Sequence, residues 1–288
     1  MTDPRQLNYL NAMGIPVWVS RDSVVEINDL EHLAGVTESE KKSDDEGELP
    51  CADSALSIIE TLDSTSSATQ KDKNQQFNKQ TLSNDSSVIA AEKIIKDVVN
   101  THSLDWHTLQ DKVSSCQQCG LYNNRTNTVF GKGHQQADWM IIGDAPASQD
   151  DQQGQPFIDQ AGQLLTNMLR AIGLKRDEVF VTNLLKCRPP NNRDPDIEEA
   201  VACNAYLQRQ LQLIQPKIVL VLGRTAAQYL LNTKEPLARL RGKTHQLPEI
   251  DIPLVVTYHP AYLLKKTIDK RKAWEDLKLA KQQFDSYN

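Results

Sequence analysis

The sequence predicts an α/β protein: a three-layer sandwich on a central four-stranded parallel sheet, preceded by a disordered linker. Three observations carry that expectation. Four short apolar runs recur between residues 139 and 256, continuous rather than alternating, as in strands buried on both faces. Stretches with a helical apolar stripe separate them, the βα alternation of a parallel sheet. Before about residue 88 neither pattern is sustained.

Taken in order, residues 4 to 13 present Leu7, Leu10 and Met13 on one helical face, closed by Gly14 where a left-handed C′ residue suits. Ile15 to Val19 reads as a strand. From Thr37 to Ser87 the chain is rich in Ser, Asp, Glu, Lys, Gln and Asn, with too few large apolar residues to offset its own ordering entropy. The expected organisation is a docking peptide over residues 1 to 30, a disordered acidic linker over 31 to 87 and the α/β domain over 88 to 288. The charge divides the same way: residues 1 to 100 hold 9 Lys/Arg against 18 Asp/Glu, and the rest hold 23 against 20. A mildly basic C-terminal part weakly favours a polyanionic partner.

Within the domain, a helix near Asp105 to Ser115 carries Trp106, Leu109 and Val113. The apolar runs are Trp139 to Ile142 ending at Gly143, Val179 to Val181 ending at Thr182-Asn183, Ile218 to Leu222 ending at Gly223, and Leu254 to Val256 ending at Thr257-Tyr258-His259. Leu164, Leu165, Met168, Leu169 and Ile172 form a helical stripe stopped by Gly173, and Pro195 opens a helix bearing Ile197, Val201, Cys203, Leu207 and Leu211. A last helix carries Trp274 and Leu277. The N-terminus lacks a basic start followed by an apolar core, and no apolar run approaches ~18 residues, so the expectation is a cytoplasmic protein without membrane span.

Four of the five cysteines read as ligands: Cys116 and Cys119 as a C-x2-C pair, then Cys187 and Cys203. Four thiolates hold either an iron–sulfur cluster or zinc, and the wide spacing of the second pair is unlike a zinc knuckle. Ligands of open parallel sheets bind outside the carboxyl ends of the strands. Asp144, Asn183 and His259 follow three of these ends and bring an acid, an amide and an imidazole to one edge. Each alone has a bland alternative, Asn183 serving turn backbone and His259 capping a helix.

The segments GDAPASQDDQQGQPFIDQAGQLL (143 to 165), TNLLKCRPPNNRDP (182 to 195), GRTAAQYLL (223 to 231) and TYHPAYLL (257 to 264), with the cysteine quartet, resemble family 4 uracil-DNA glycosylases, the iron–sulfur branch of that superfamily. The resemblance implies a 4Fe-4S cluster on Cys116, Cys119, Cys187 and Cys203. It implies uracil flipped out of DNA and its N-glycosidic bond hydrolysed. Phe157 would stack on the base beside Ala145, Asn183 would read its edge, and His259 would stabilise the departing anion. Asp144, Asp150 and Asn192 match assisting positions. This chain departs from the family in having Asp144 for Glu, and Ala147 and Asp159 for two glycines, so a reduced activity is expected. Arg239, Arg241, Lys243 and Lys265 read as phosphate contacts on uracil-containing DNA, and Leu263 or Leu264 as a wedge or as core.

The stretch LNYLNAMGIPVWVSR resembles the opening of the psi subunit of the bacterial clamp-loader assembly. It implies clamp-loader or other replication subunits as partners of residues 1 to 30. The alternative function is then a weak or inactive accessory subunit. Nothing in the sequence demands more than a monomer.

Overall fold

The computed structural model describes residues 10, 11, 13 to 15, 101 to 248 and 250 to 287. The linker expected over 31 to 87, the first residues of the expected domain and most of residues 1 to 30 lie outside them.

The sheet has six strands, in the order β1-β3-β2-β4-β6-β5. They are β1 (Lys132–Gly133), β2 (Trp139–Gly143), β3 (Phe180–Asn183), β4 (Ile218–Leu222), β5 (Thr244–Gln246) and β6 (Pro253–Thr257). The four expected strands are the central ones and run parallel. The expectation of four strands falls short by two: β1 and β5 add antiparallel edges of two and three residues. Both are short and polar, without the apolar run that marks a buried strand, and polar short strands suit a sheet edge.

Each central strand sends alternate residues to opposite layers. Met140, Ile142, Val219, Val221, Leu254 and Val256 meet Ala200, Leu207, Leu211, Ala226 and Leu230, which lie on α4 (Ile197–Ile214) and α5 (Arg224–Leu230). Trp139, Ile141, Leu220 and Val255 meet Leu165, Met168, Ala273 and Leu277 from the other side. Those belong to α3 (Gln160–Ala171) and α8 (Lys270–Asp285), with α7 (Pro260–Lys265) beside them. Two apolar layers around one sheet make the α/β/α sandwich. The remaining helices are α1 (Trp106–Ser114), α2 (Ser148–Gln153) and α6 (Leu237–Leu240).

Local sequence sets the boundaries. Asp105 caps α1 by accepting from the Thr108 amide, and Glu199 reaches back to the Asp196 amide at the start of α4. Gly14, at φ 70°, closes the N-terminal turn as expected. Leu10, Met13 and Ile15 are buried in the same cluster as Trp139, Leu165 and Leu277. These three side chains are therefore committed to the core. Among the described residues, no helix is long and apolar enough to cross a membrane.

One buried ion pair ties the end of α6 to α8. Asp276, wholly buried, accepts from Arg241 Nε and Nη2 at 2.9 Å each, from the Gly242 amide at 3.0 Å and from Thr257 Oγ1 at 2.8 Å. Arg241 was expected on phosphates; instead its guanidinium is consumed by this carboxylate and the Lys272 carbonyl. Asp276→Ala strands a buried cation and is expected to lower the unfolding free energy by about 3–5 kcal/mol, measured by urea denaturation. A loss under ~1 kcal/mol would show the pair to be peripheral.

Candidate active site and cysteine cavity

The strand order reverses between β2 and β4: the chain leaves β2 for β3 on one side and returns to β4 on the other. A crevice outside the carboxyl ends belongs at that reversal. Along it lie Asn183 at the end of β3, Asp144 after β2, Gly223 after β4 and His259 two residues beyond β6. The end of β2 pairs with the end of β3, Gly143 opposite Asn183, and the Gly223 amide donates to the Thr257 carbonyl. The three polar residues expected to converge thus share one edge.

Asn183 is fully buried, and neither its Oδ1 nor its Nδ2 has a hydrogen-bond partner. Turn backbone does not use it. A buried amide left entirely unpaired is costly unless a ligand completes it. Beside it stands Phe157, whose ring stacks on His259 with centroids 5.4 Å apart and planes at 30°. Gly143 lies under both: a Cβ there would fall 2.4 Å from Asn183 Oδ1 and 2.6 Å from the Phe157 ring. Only a glycine allows this amide and ring to approach the strand end.

His259 does cap a helix. Its Nδ1 accepts from the Ala261 amide at 3.2 Å in the first turn of α7, so the neutral ring carries its proton on Nε2. Burial pushes its pKa down to about 4, leaving a neutral N–H donor at ordinary pH. Capping and donation are compatible because they use opposite nitrogens.

Asp144 Oδ1 accepts from the Ala226 amide at 2.6 Å in the first turn of α5. Its carboxylate lies against Gly223, where a Cβ would fall 2.4 Å from Oδ2. Burial raises its pKa to about 7, more than the Ala226 hydrogen bond lowers it. Asp150 is also buried, but both its oxygens are used by backbone, the Ile158 amide at 3.1 Å and the Ala147 amide at 3.3 Å. It shapes the loop that presents Phe157. Ala145, partly buried, packs on the α4 side of the sheet.

The two lost glycines cost less than the sequence suggests. Ala147 has φ −86° and Asp159 φ −80°, both open to any L residue, and Asp159 caps α3 by accepting from the Gly162 amide. The strained residue is Phe157 itself, at φ 56°. Arg176, not singled out by any motif, braces it: Nη2 donates to the Pro156 carbonyl at 3.1 Å and the guanidinium lies 5.9 Å from the Phe157 ring centroid. Burial lowers its pKa to about 10, so it stays charged.

Asn192 sits exposed on a short turn, its Oδ1 accepting from Arg188 Nε at 2.7 Å. Arg239, Lys243 and Lys265 are exposed. Leu263 is core at 1% exposure, whereas Leu264, at 40%, faces outward beside Lys265. Of the two wedge candidates only Leu264 is accessible.

All four expected cysteines line one cavity, with Arg125, Lys186, Tyr122 and Tyr206. Cys116 and Cys119 come from the turn after α1, Cys187 follows β3, and Cys203 projects from α4. Among the described residues no three His, Cys, Asp or Glu side chains converge closely enough to hold a single ion. A cavity with four sulfur donors, two cations and no carboxylate suits a thiolate-bound group wider than one ion. Burial raises the pKa of Cys119 and Cys187 and takes that of Cys203 up to about 12, so loading such a group must expel protons. Arg125 partly opposes this at Cys187, its Nη1 donating to Sγ at 3.1 Å.

Comparison with known proteins identifies the family of the domain that carries these residues. The model of the uracil DNA glycosylase superfamily matches residues 130–278. The chain is 42% identical over 177 residues to a Type-4 uracil-DNA glycosylase of Sulfurisphaera tokodaii, covering 59% of this chain and 80% of that one. It is 42% identical over 185 residues to one of Saccharolobus solfataricus, covering 62% and 86%, and 36% identical over 180 residues to one of Thermotoga maritima, covering 60% and 91%. The superfamily model spans more than half of the chain, and the chain belongs to the uracil DNA glycosylase superfamily.

The raised pKa of Asp144 has a thermodynamic sign. The folded protein holds this proton more tightly than the unfolded chain, so ionisation destabilises the fold as pH climbs from the ordinary carboxylate range through about 7. Asp144→Asn keeps an acceptor for the Ala226 amide and is expected to raise the melting temperature above neutral pH while leaving it unchanged in acid. Equal effects at both would show that Asp144 titrates normally.

Proposed function

We propose that this chain is a uracil-DNA glycosylase of the Type-4 class, which takes uracil out of DNA and hydrolyses its N-glycosidic bond. The observation that carries the proposal is the Asn183 amide, buried with both polar atoms unpaired. The pairing edge of uracil offers an acceptor at O4 and a donor at N3–H. Asn183 Nδ2 and Oδ1 complement them in that order, and cytosine presents the reverse. A site that must pair a buried amide rejects the wrong edge strongly, because mispairing leaves both partners unsatisfied.

The chemistry follows from charge. As the bond from the sugar carbon to the base nitrogen lengthens, its electron pair moves onto uracil, and negative charge collects at O2. The neutral His259 donates from Nε2 toward that oxygen, stabilising the leaving anion. The sugar becomes oxocarbenium-like and water adds to it, surrendering a proton. Asp144, when ionised, favours the cationic sugar and accepts that proton. Phe157, held by Asp150 and Arg176, provides the face on which the base lies. Arg239, Lys243 and Lys265 hold phosphates, and Leu264 fills the gap left by the flipped base. Asn192 assists from the turn it shares with Arg188.

Cys116, Cys119, Cys187 and Cys203 would hold a 4Fe-4S cluster, which supplies a covalent tie between the turn after α1, the end of β3 and α4. Its role here is structural. The resemblance at the N-terminus supports recruitment through residues 1 to 30 to replication subunits. Such docking has to use residues other than Leu10, Met13 and Ile15, which are buried. A cytoplasmic monomer suits this function.

Excision from a uracil-containing oligonucleotide, read as alkali-labile sites, tests the assignment. His259→Ala is expected to lose about 10²–10³-fold in rate. Asn183→Asp should lose the preference for uracil over cytosine, and wild-type excision in both variants would refute this pocket. In the wild type the rate is expected to climb as pH rises through about 7, where Asp144 ionises, with no loss from His259 until about pH 4.

A further inference from the structure

Between the crevice and the cysteine cavity lies Lys186, a residue only 1% exposed. Its ammonium donates to Thr182 Oγ1 at 2.6 Å, to the Asn183 carbonyl at 2.8 Å and to Gln210 Oε1 at 2.7 Å. Those three bonds exhaust its donors. The acceptors cannot turn away: Gln210 Nε2 and Thr182 Oγ1 each donate to the Phe130 carbonyl at 2.9 Å, so their lone pairs must face the lysine. The network is complete and rigid.

Its acceptors are all neutral. Among the described residues no carboxylate pairs with Lys186. A buried cation held only by neutral acceptors is expensive unless an anion lies close by. The neighbouring anions available are the thiolates, since Lys186 lines the cavity of Cys116, Cys119, Cys187 and Cys203 together with Arg125. Four thiolates around an iron–sulfur core of roughly +2 leave a charge of roughly −2, which two fixed cations balance.

We propose that Lys186 and Arg125 are the built-in counter-charges of the cluster, and that Lys186 makes the seating of Asn183 depend on it. The first half rests on the cluster assignment above, and the second also rests on the role of Asn183. Lys186 grips the Asn183 main chain from the cavity side while the amide faces the crevice. Lys186 precedes Cys187 in the chain, so a Cys187 displaced by loss of the cluster shifts the ammonium that holds Asn183, the residue that reads the base. Lys186 acts through Asn183 and is a positioning residue.

The test uses full-length protein purified without oxygen. Iron and sulfide content of the wild type, with its absorbance near ~400 nm, decides the cluster assignment itself. An iron-free, colourless wild type overturns both that assignment and this inference. With iron present, Lys186→Met and Arg125→Met are each expected to lose the absorbance under a chelator roughly tenfold faster and to show a more negative cluster reduction potential. Unchanged rate and potential in both overturn the counter-charge role. Free uracil, as an inhibitor, is expected to bind roughly tenfold more weakly to Lys186→Met, and to wild-type protein stripped of iron but still folded by circular dichroism. Stripped wild type with undiminished uracil affinity overturns the link to Asn183, even if Lys186→Met does not fold.

Discussion

Burial of the central sheet on both faces is the constraint from which the rest of the molecule follows. β2, β3, β4 and β6 are buried throughout their lengths, so little polar chemistry can stand along them. It is displaced to the strand ends, and the reversal of strand order brings four of those ends to one crevice. Asn183, Asp144 and His259 owe their proximity to this geometry rather than to contacts among themselves. The two glycines at the crevice have the same origin. Gly143 and Gly223 sit where a strand end, a ring and a carboxylate must come closer than any Cβ permits.

The same burial sets the protonation states. It depresses His259 and lifts Asp144, holding the imidazole neutral and the carboxyl near half-ionisation at neutral pH. Pushing an acid and a base apart in opposite directions from their solution behaviour is the signature of a site arranged for chemistry. Backbone amides at the starts of α5 and α7 then fix the orientation of both side chains. The short helices that follow β4 and β6 therefore anchor Asp144 and His259 as much as they cover the sheet.

The sequence was most informative where burial dictates pattern. Continuous apolar runs located the four central strands, because strands covered on both faces cannot alternate. β1 and β5 escaped notice because an edge strand of two or three polar residues leaves no periodicity to detect. Side-chain partners were the least legible part. Arg241 reads as one of several loop cations, and nothing in its neighbourhood announces that Asp276, thirty-five positions later, will claim it. Arg176 and Lys186 belong to the same class, since each matters only through residues brought to it by the fold. The concern over Ala147 and Asp159 had a different source. A glycine in a family pattern suggests a left-handed backbone, yet both residues have ordinary φ, and the left-handed strain falls on Phe157.

Leu10, Met13 and Ile15 share a core with α3 and α8. The chain therefore meets the same body at Ile15 and again at Thr101. The entropy of holding two points of a chain together grows only with the logarithm of the length between them, about 0.6 kcal/mol per doubling, so the spacing of two such attachments can change at small thermodynamic cost. Cutting the chain between them would not simply release an appendage. The N-terminal fragment would remain bound through three buried side chains, and deleting that fragment would open a cavity under the sheet.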